Sequence, residues 1–177
     1  KSLQKLSPLD IIPLHILKSC SPVFAVLLSR LSNITFETGI FPRHFKTAEV
    51  RPLLKKPDLD PTDPVSYRPI SNLNSLGKLL EKFVQSRLSK HVLKSQNFSE
   101  IQSGYRPFHA TETATVKILN DLIVNTTTGC PSMMVSLDLS SAFDFVIHSK
   151  LLNRLQEEFG VSGRGLDWLR SYLKDRS

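Results

Sequence analysis

Met133-Met134-Val135-Ser136-Leu137-Asp138-Leu139, followed at once by Ser140-Ser141-Ala142-Phe143-Asp144, is the stretch that decides the fold. A short apolar run bounded by turn formers (Gly129 and Pro131 before it, the serines after it) predicts a buried strand over Met133 to Leu139. A lone carboxylate inside such a run costs roughly several kcal/mol unless something compensates for it. Two compensations stand open for Asp138. A hard cation such as Mg²⁺ is held by one or two carboxylates together with phosphate oxygens and waters. Alternatively, Asp138 is an exposed strand-end residue that caps the Ser140-Ser141 turn. Five residues beyond Asp138, Phe143 stands just past a tight turn, either as the wall of a pocket or as an ordinary core aromatic.

Outward from this stretch the chain alternates helical and extended patterns. Ser149 as cap predicts a helix through Phe159 that stops at Gly160, and another is expected from Leu166 to Leu173. Upstream, Thr111 to Asn125 places Ala114, Ile118 and Leu122 at helical spacing, after the bend Ser103-Gly104-Tyr105-Arg106-Pro107. Leu76 to Lys94 carries Leu76, Leu79, Leu80, Phe83, Val84 and Leu88 on one face and its lysines mostly off it. Ala48 to Leu54 predicts a short strand, broken by Lys55-Lys56-Pro57-Asp58, with a loop from Pro64 to Tyr67. Ile11 to Gly39 predicts a helical preamble with Ser21 as N-cap, Pro22 at the first helical position, and Val23, Val26, Leu27 and Leu31 on one face.

The chain has 177 residues, 40% of them apolar, enough for one compact mixed unit of helices on a small sheet or for part of a larger one. With 23 Lys and Arg against 16 Asp and Glu it carries +7, which favours a phosphate-rich partner and equally describes a basic protein with solvated lysines. Cys20 and Cys130 lie far apart with no second ligand nearby, so neither zinc nor a disulfide scaffold is suggested and an intracellular compartment is expected. No apolar run approaches a membrane span. Lys55, Lys56 and Arg68 flank a Pro-rich loop; they read as a triphosphate grip, Arg bidentate and Lys a point charge, or as a solvated loop.

Several blocks together resemble LINE-type (non-LTR retrotransposon) reverse transcriptases. Ala48-Glu49-Val50-Arg51-Pro52-Leu53-Leu54-Lys55-Lys56-Pro57, Tyr67-Arg68-Pro69-Ile70-Ser71-Asn72-Leu73 and Lys78-Leu79-Leu80-Glu81-Lys82 resemble the fingers blocks in order and spacing. Gln102-Ser103-Gly104-Tyr105-Arg106, with Thr111-Glu112-Thr113-Ala114, looks like the QxGFR…ST block. Val135 to Asp144 looks like motif A of the palm. Leu9-Asp10-Ile11-Ile12-Pro13, Gly39-Ile40-Phe41-Pro42 and Phe45-Lys46-Thr47-Ala48 resemble the helical extension that precedes the fingers, so the resemblance covers essentially the whole chain.

The resemblance implies an α+β fold: a helical N-terminal extension (1–46), the fingers (47–130) and the first part of the palm (131–177) of a right-hand polymerase, an incomplete domain. It implies metal-dependent nucleotidyl transfer on an RNA template with a DNA primer and dNTPs. Asp138 would match the motif A aspartate that binds two Mg²⁺ ions, with the backbone carbonyl of Leu139 as a further ligand. Ser140, Ser141 and Ala142 would line the nucleotide site, and Phe143 would be the steric gate that excludes a 2′-hydroxyl. Arg68, with Lys55 or Lys56, would contact the triphosphate, and Tyr105 and Arg106 would lie near the template path. The chain departs from the family where Phe145 and Ile147 replace the usual Thr and Asp before His148, and where Ala110 replaces a usual Ser. The family's remaining carboxylates, thumb and any endonuclease lie downstream, so this stretch alone is expected to be inactive. Its alternatives are a non-catalytic RNA-binding module and a decayed remnant. The resemblance places the parent in a nuclear or cytoplasmic ribonucleoprotein.

Overall fold

A computed structural model of the chain describes residues 8–139 and 142–176. Helix α1 (Leu14–Ser19) turns at Cys20 into α2 (Ser21–Thr38), whose second position is Pro22, where a missing N–H costs no helical bond. Gly39 ends α2 in the left-handed conformation, φ 68°, and donates its N–H to Thr35. A 3₁₀ turn (Arg43–Phe45) leads to β1 (Glu49–Leu54), and a second one (Pro64–Ser66) leads to β2 (Tyr67–Asn72). Helix α3 (Ser75–Lys94), α4 (Thr111–Thr127), α5 (His148–Glu157) and α6 (Gly163–Leu173) follow.

Strand β2 lies in what the sequence presented as the end of a loop and an unassigned stretch. It pairs antiparallel with β1, Leu53 opposite Arg68 and Pro52 opposite Pro69. The Lys55 N–H donates to the Ser66 carbonyl at 2.9 Å and extends the ladder by one pair. Since bonded and non-bonded pairs alternate, Pro52 and Pro69 fall at a non-bonded pair, where N–H groups point outward. Neither proline therefore weakens the ladder. Each removes a donor from an outer edge and blunts the hairpin against pairing with another strand.

The chain divides into two compact units, Lys1–Ser89 with His148–Ser177, and Lys90–Ile147. In the first unit, Phe41, Leu80 and Trp168 are buried together, with Leu31, Phe36, Phe45, Val84, Leu169 and Tyr172 packed around them. The core thus joins α2, the 3₁₀ turn, α3 and α6. Phe41 meets Trp168 and Tyr172 edge-on at ring-centroid distances of 5.2 and 5.1 Å, a favourable aromatic geometry. Lys46 is buried with its ammonium on the carbonyls of Ser171 (2.6 Å) and Lys174 (2.9 Å), so it satisfies acceptors that the end of α6 leaves open. Asp10 accepts from the N–H and hydroxyl of Ser75 at 2.6 and 2.7 Å, a carboxylate at the N-terminus of α3.

The inward face of α2 differs from the expected one. Val23, Val26 and Leu27 are exposed, while Ser32 and Thr35 are buried and Leu31 and Phe36 pack on the core. The helix is apolar on more than one side, so its periodicity admits two inward faces, and contact with α6 selects between them.

The second unit contains α4, on which no residue is buried, and the run holding Asp138. The strand expected over Met133 to Leu139 does not form: residues 131–139 have no regular secondary structure and all are exposed. A strand exists only as one side of a ladder, and the sheet among the described residues consists of β1 and β2 alone. The overall class is accordingly mixed: helices with one small antiparallel sheet.

Candidate nucleotide and nucleic-acid sites

On the β1–β2 hairpin, side chains alternate between faces. The register puts Glu49, Arg51, Leu53 and Lys55 on one face with Arg68 and Ile70 from the other strand. This face is basic and open. Arg51 pairs with Glu49 at 3.0 Å, and Arg68 is exposed. Lys55 shares the face, but its ammonium donates to the Val65 carbonyl at 2.7 Å and so braces the far arm of the loop. Lys56 lies past the end of the ladder and is exposed. The loop between the strands is held by its own polar side chains. Asp60 accepts from the N–H and hydroxyl of Thr62, which hold its carboxyl below the usual range, and Asp63 accepts from Val65.

The Gln102 to Ala110 segment is a turn-rich loop before α4. Arg106 is consumed inside it: its guanidinium donates to the Glu100 carbonyl at 2.8 Å and lies 5.9 Å from the Phe98 ring centroid. Tyr105 points the other way in character, 90% exposed with φ 59°. Phe108, which the sequence did not single out, has φ 62° and is 101% exposed. Its one sequence signal was a bulky apolar residue following Pro107 in a turn, where no helical or strand periodicity calls for it.

Asp138 is exposed, which removes the premise that its carboxylate is buried and must be neutralised. The cost of desolvation that argued for a compensating ion does not arise in this conformation. Leu139 and Ala142 are exposed as well, while Ser140 and Ser141 lie outside the described residues. Phe143 sits in the turn at 142–145 and is 77% exposed, a ring presented outward rather than packed in a core. Among the described residues no group of three or more His, Cys, Asp and Glu side chains is placed to hold a metal ion.

The comparison with known families identifies the class of protein that carries this basic hairpin, aromatic loop and exposed carboxylate. The family described as reverse transcriptase (RNA-dependent DNA polymerase) matches residues 54–177, well over half of the chain. The chain belongs to the reverse transcriptase family, and to its non-LTR, LINE-type kind. It is 31% identical over 88% of its length to the probable RNA-directed DNA polymerase from transposon BS of Drosophila melanogaster. It is 32% identical over 75% of its length to the RNA-directed DNA polymerase from mobile element jockey, and 27% identical over 94% to the probable RNA-directed DNA polymerase from transposon X-element, both of Drosophila melanogaster. The chain spans 17%, 14% and 18% of these three relatives. Members of the family are nucleotidyltransferases, as the resemblance read from the sequence implied. Among the described residues no helix is long and apolar enough to cross a membrane.

Proposed function

We propose that this chain contributes a helical extension, the fingers and the first part of the palm to an RNA-directed DNA polymerase that uses an RNA template, a DNA primer and dNTPs. The observation that carries the reading is the family match over residues 54–177, which takes in Lys55, Lys56, the strand β2 with Arg68, and the Asp138 segment. In it Asp138 and the Leu139 carbonyl offer hard oxygen donors of the kind Mg²⁺ prefers. These two donors fit the metal in chemistry and fall short of it in number, so further ligands from the parent protein are part of the proposal. Bound there, Mg²⁺ would supply charge stabilisation for in-line displacement at phosphorus.

The chain's own residues do the rest. Phe143 is the steric gate, and its outward ring suits exclusion of a ribose 2′-hydroxyl. Arg68 grips the triphosphate, with Lys56 as the better-placed partner, since one of the three Lys55 ammonium donors already holds the Val65 carbonyl. Ser140, Ser141 and Ala142 belong to the nucleotide site, Tyr105 to the template path. Arg106 acts through the loop that it braces.

The test replaces the matching stretch of the jockey polymerase by this chain and measures primer extension on RNA. Extension that is lost in Asp138→Ala, and admits ribonucleotides in Phe143→Ala, is the expected result; a chimaera indifferent to both changes would overturn the assignment. The open basic face also supports RNA binding without catalysis by the chain alone, and the nuclear or cytoplasmic ribonucleoprotein setting goes with that proposal.

A further inference from the structure

Two large aromatic rings in one short loop are given up to solvent on strained backbone. Tyr105 is 90% exposed at φ 59° and Phe108 is 101% exposed at φ 62°. Left-handed backbone is uncommon outside glycine, asparagine and aspartate, and for a bulky residue it is an outlier that marks a functional position more often than chance. Neither ring packs on a neighbour, so neither contributes to the core. The frame beneath them is fixed: Pro107 lies between them, Arg106 is tied to Glu100, the His109 ring contacts the Pro107 carbonyl at 2.9 Å, and the His109 N–H donates to Arg106. Two residues, Arg106 and Pro107, lie between the rings, so their Cα atoms, three steps apart, lie within about 11 Å, the length of a few nucleotides of a single strand.

We propose that Phe108, together with Tyr105, is a stacking platform for unpaired bases of single-stranded nucleic acid. The inference rests on the polymerase reading and deepens it, because it adds Phe108 and specifies an unpaired strand. A flat ring held away from its own protein meets a base by its π-face, a contact open to every base and unavailable when bases are already stacked in a duplex. A rigid loop makes the contact without ordering cost on binding. The chain's +7 charge supplies attraction for the strand's phosphates and repels a basic protein partner.

The experiment measures binding of a labelled single-stranded oligoadenylate of about a dozen nucleotides, and of its duplex, by fluorescence anisotropy, alongside thermal unfolding. Phe108→Gly relieves the left-handed strain, so it should leave thermal stability equal or higher while weakening single-strand affinity on the order of tenfold. Phe108→Asn also suits that backbone, without glycine's added freedom, and should weaken binding similarly. Phe108→Trp should retain it. Duplex affinity should hardly move in any variant. Wild-type affinity in Phe108→Gly and Phe108→Asn would overturn the proposal while leaving salt-dependent RNA binding by the basic hairpin in place. An equal loss for duplex and single strand, or Phe108-dependent self-association in sedimentation, would assign the ring another role and also overturn it. No RNA binding by the wild type would remove the RNA-binding reading itself.

Discussion

At the scale of single residues, the largest titration effect among the described groups is that of Tyr172. Its hydroxyl donates to Glu81 at 2.8 Å, Arg176 reaches the same carboxylate oxygen at 2.7 Å, and the guanidinium lies 4.2 Å from the Tyr172 ring centroid. Burial, and after it the Glu81 charge, push the phenol from 10.0 up to about 12. A raised folded-state pKa means the neutral phenol stabilises the fold fully below pH 10, and that contribution is lost as pH rises through about 12. Urea midpoints at about pH 9 and about pH 12 should therefore fall further in the wild type than in Tyr172→Phe. Lysine deprotonation is common to both proteins and cancels in the comparison. At the start of α4, Thr113 accepts from the Ala110 N–H at 2.9 Å, which is half of a reciprocal capping box, while Ala110 has no side-chain oxygen to return the bond. Ala110 is extended (φ −139°, ψ 170°), as an N-cap should be. Ala110→Ser should complete the box and stabilise α4 by about 1 kcal/mol, read as slower amide exchange in its first turn.

At the scale of elements, the junction between α2 and α6 is a tight constraint. A Cβ on Gly39 would stand 2.9 Å from the Asp167 Cβ and 3.4 Å from the Arg164 carbonyl, on backbone with φ 68°. Gly160 has φ 66° and nothing within 4 Å of a built Cβ. Gly160→Ala should cost about 1 kcal/mol from backbone strain alone. Gly39→Ala should cost about 2–4 kcal/mol, because α6 must also move. Denaturant titration of the two variants separates the terms; equal losses would show that α6 yields freely. The same junction is held by Lys46 on the carbonyls of Ser171 and Lys174 and by the Phe41 N–H on the Ser171 hydroxyl at 3.0 Å.

At the scale of the whole chain, net charge makes a distinct prediction. If the hairpin face and its neighbours neutralise RNA phosphates, log affinity falls linearly with log salt, at about −0.7 per phosphate contacted on a single strand. Replacing Lys55, Lys56 and Arg68 together by Ala should flatten the slope, and Lys56→Ala with Arg68→Ala should account for most of the change, since the Lys55 ammonium serves Val65. Asp138→Ala should leave the slope nearly unchanged. A slope indifferent to the triple substitution, measured by anisotropy over a salt series, would remove the hairpin from the RNA-binding surface.

The sequence by itself determined the family and most of the helices. The blocks around Arg68, Tyr105 and Asp138 are local strings, and α3, α4 and α6 announce themselves through caps, glycines and 3.6-residue spacing, all short-range signals. Strand β2 was not legible, because Tyr67-Arg68-Pro69-Ile70 has two prolines nearby and no clean alternation; pairing with β1 makes it a strand. The apolar run at Met133 to Leu139 shows the converse, strong local preference with no ladder to join among the described residues. Tertiary structure alone decided which side of α2 faces inward, that Lys46 is buried against the end of α6, that Lys55 is engaged and Lys56 free, and that Tyr105 and Phe108 stand in solvent on left-handed backbone. The reason is one of range: propensity and spacing report neighbours along the chain, whereas the buried face of α2 or a carbonyl some 125 residues from Lys46 is fixed only when distant segments close the core around Phe41, Leu80 and Trp168.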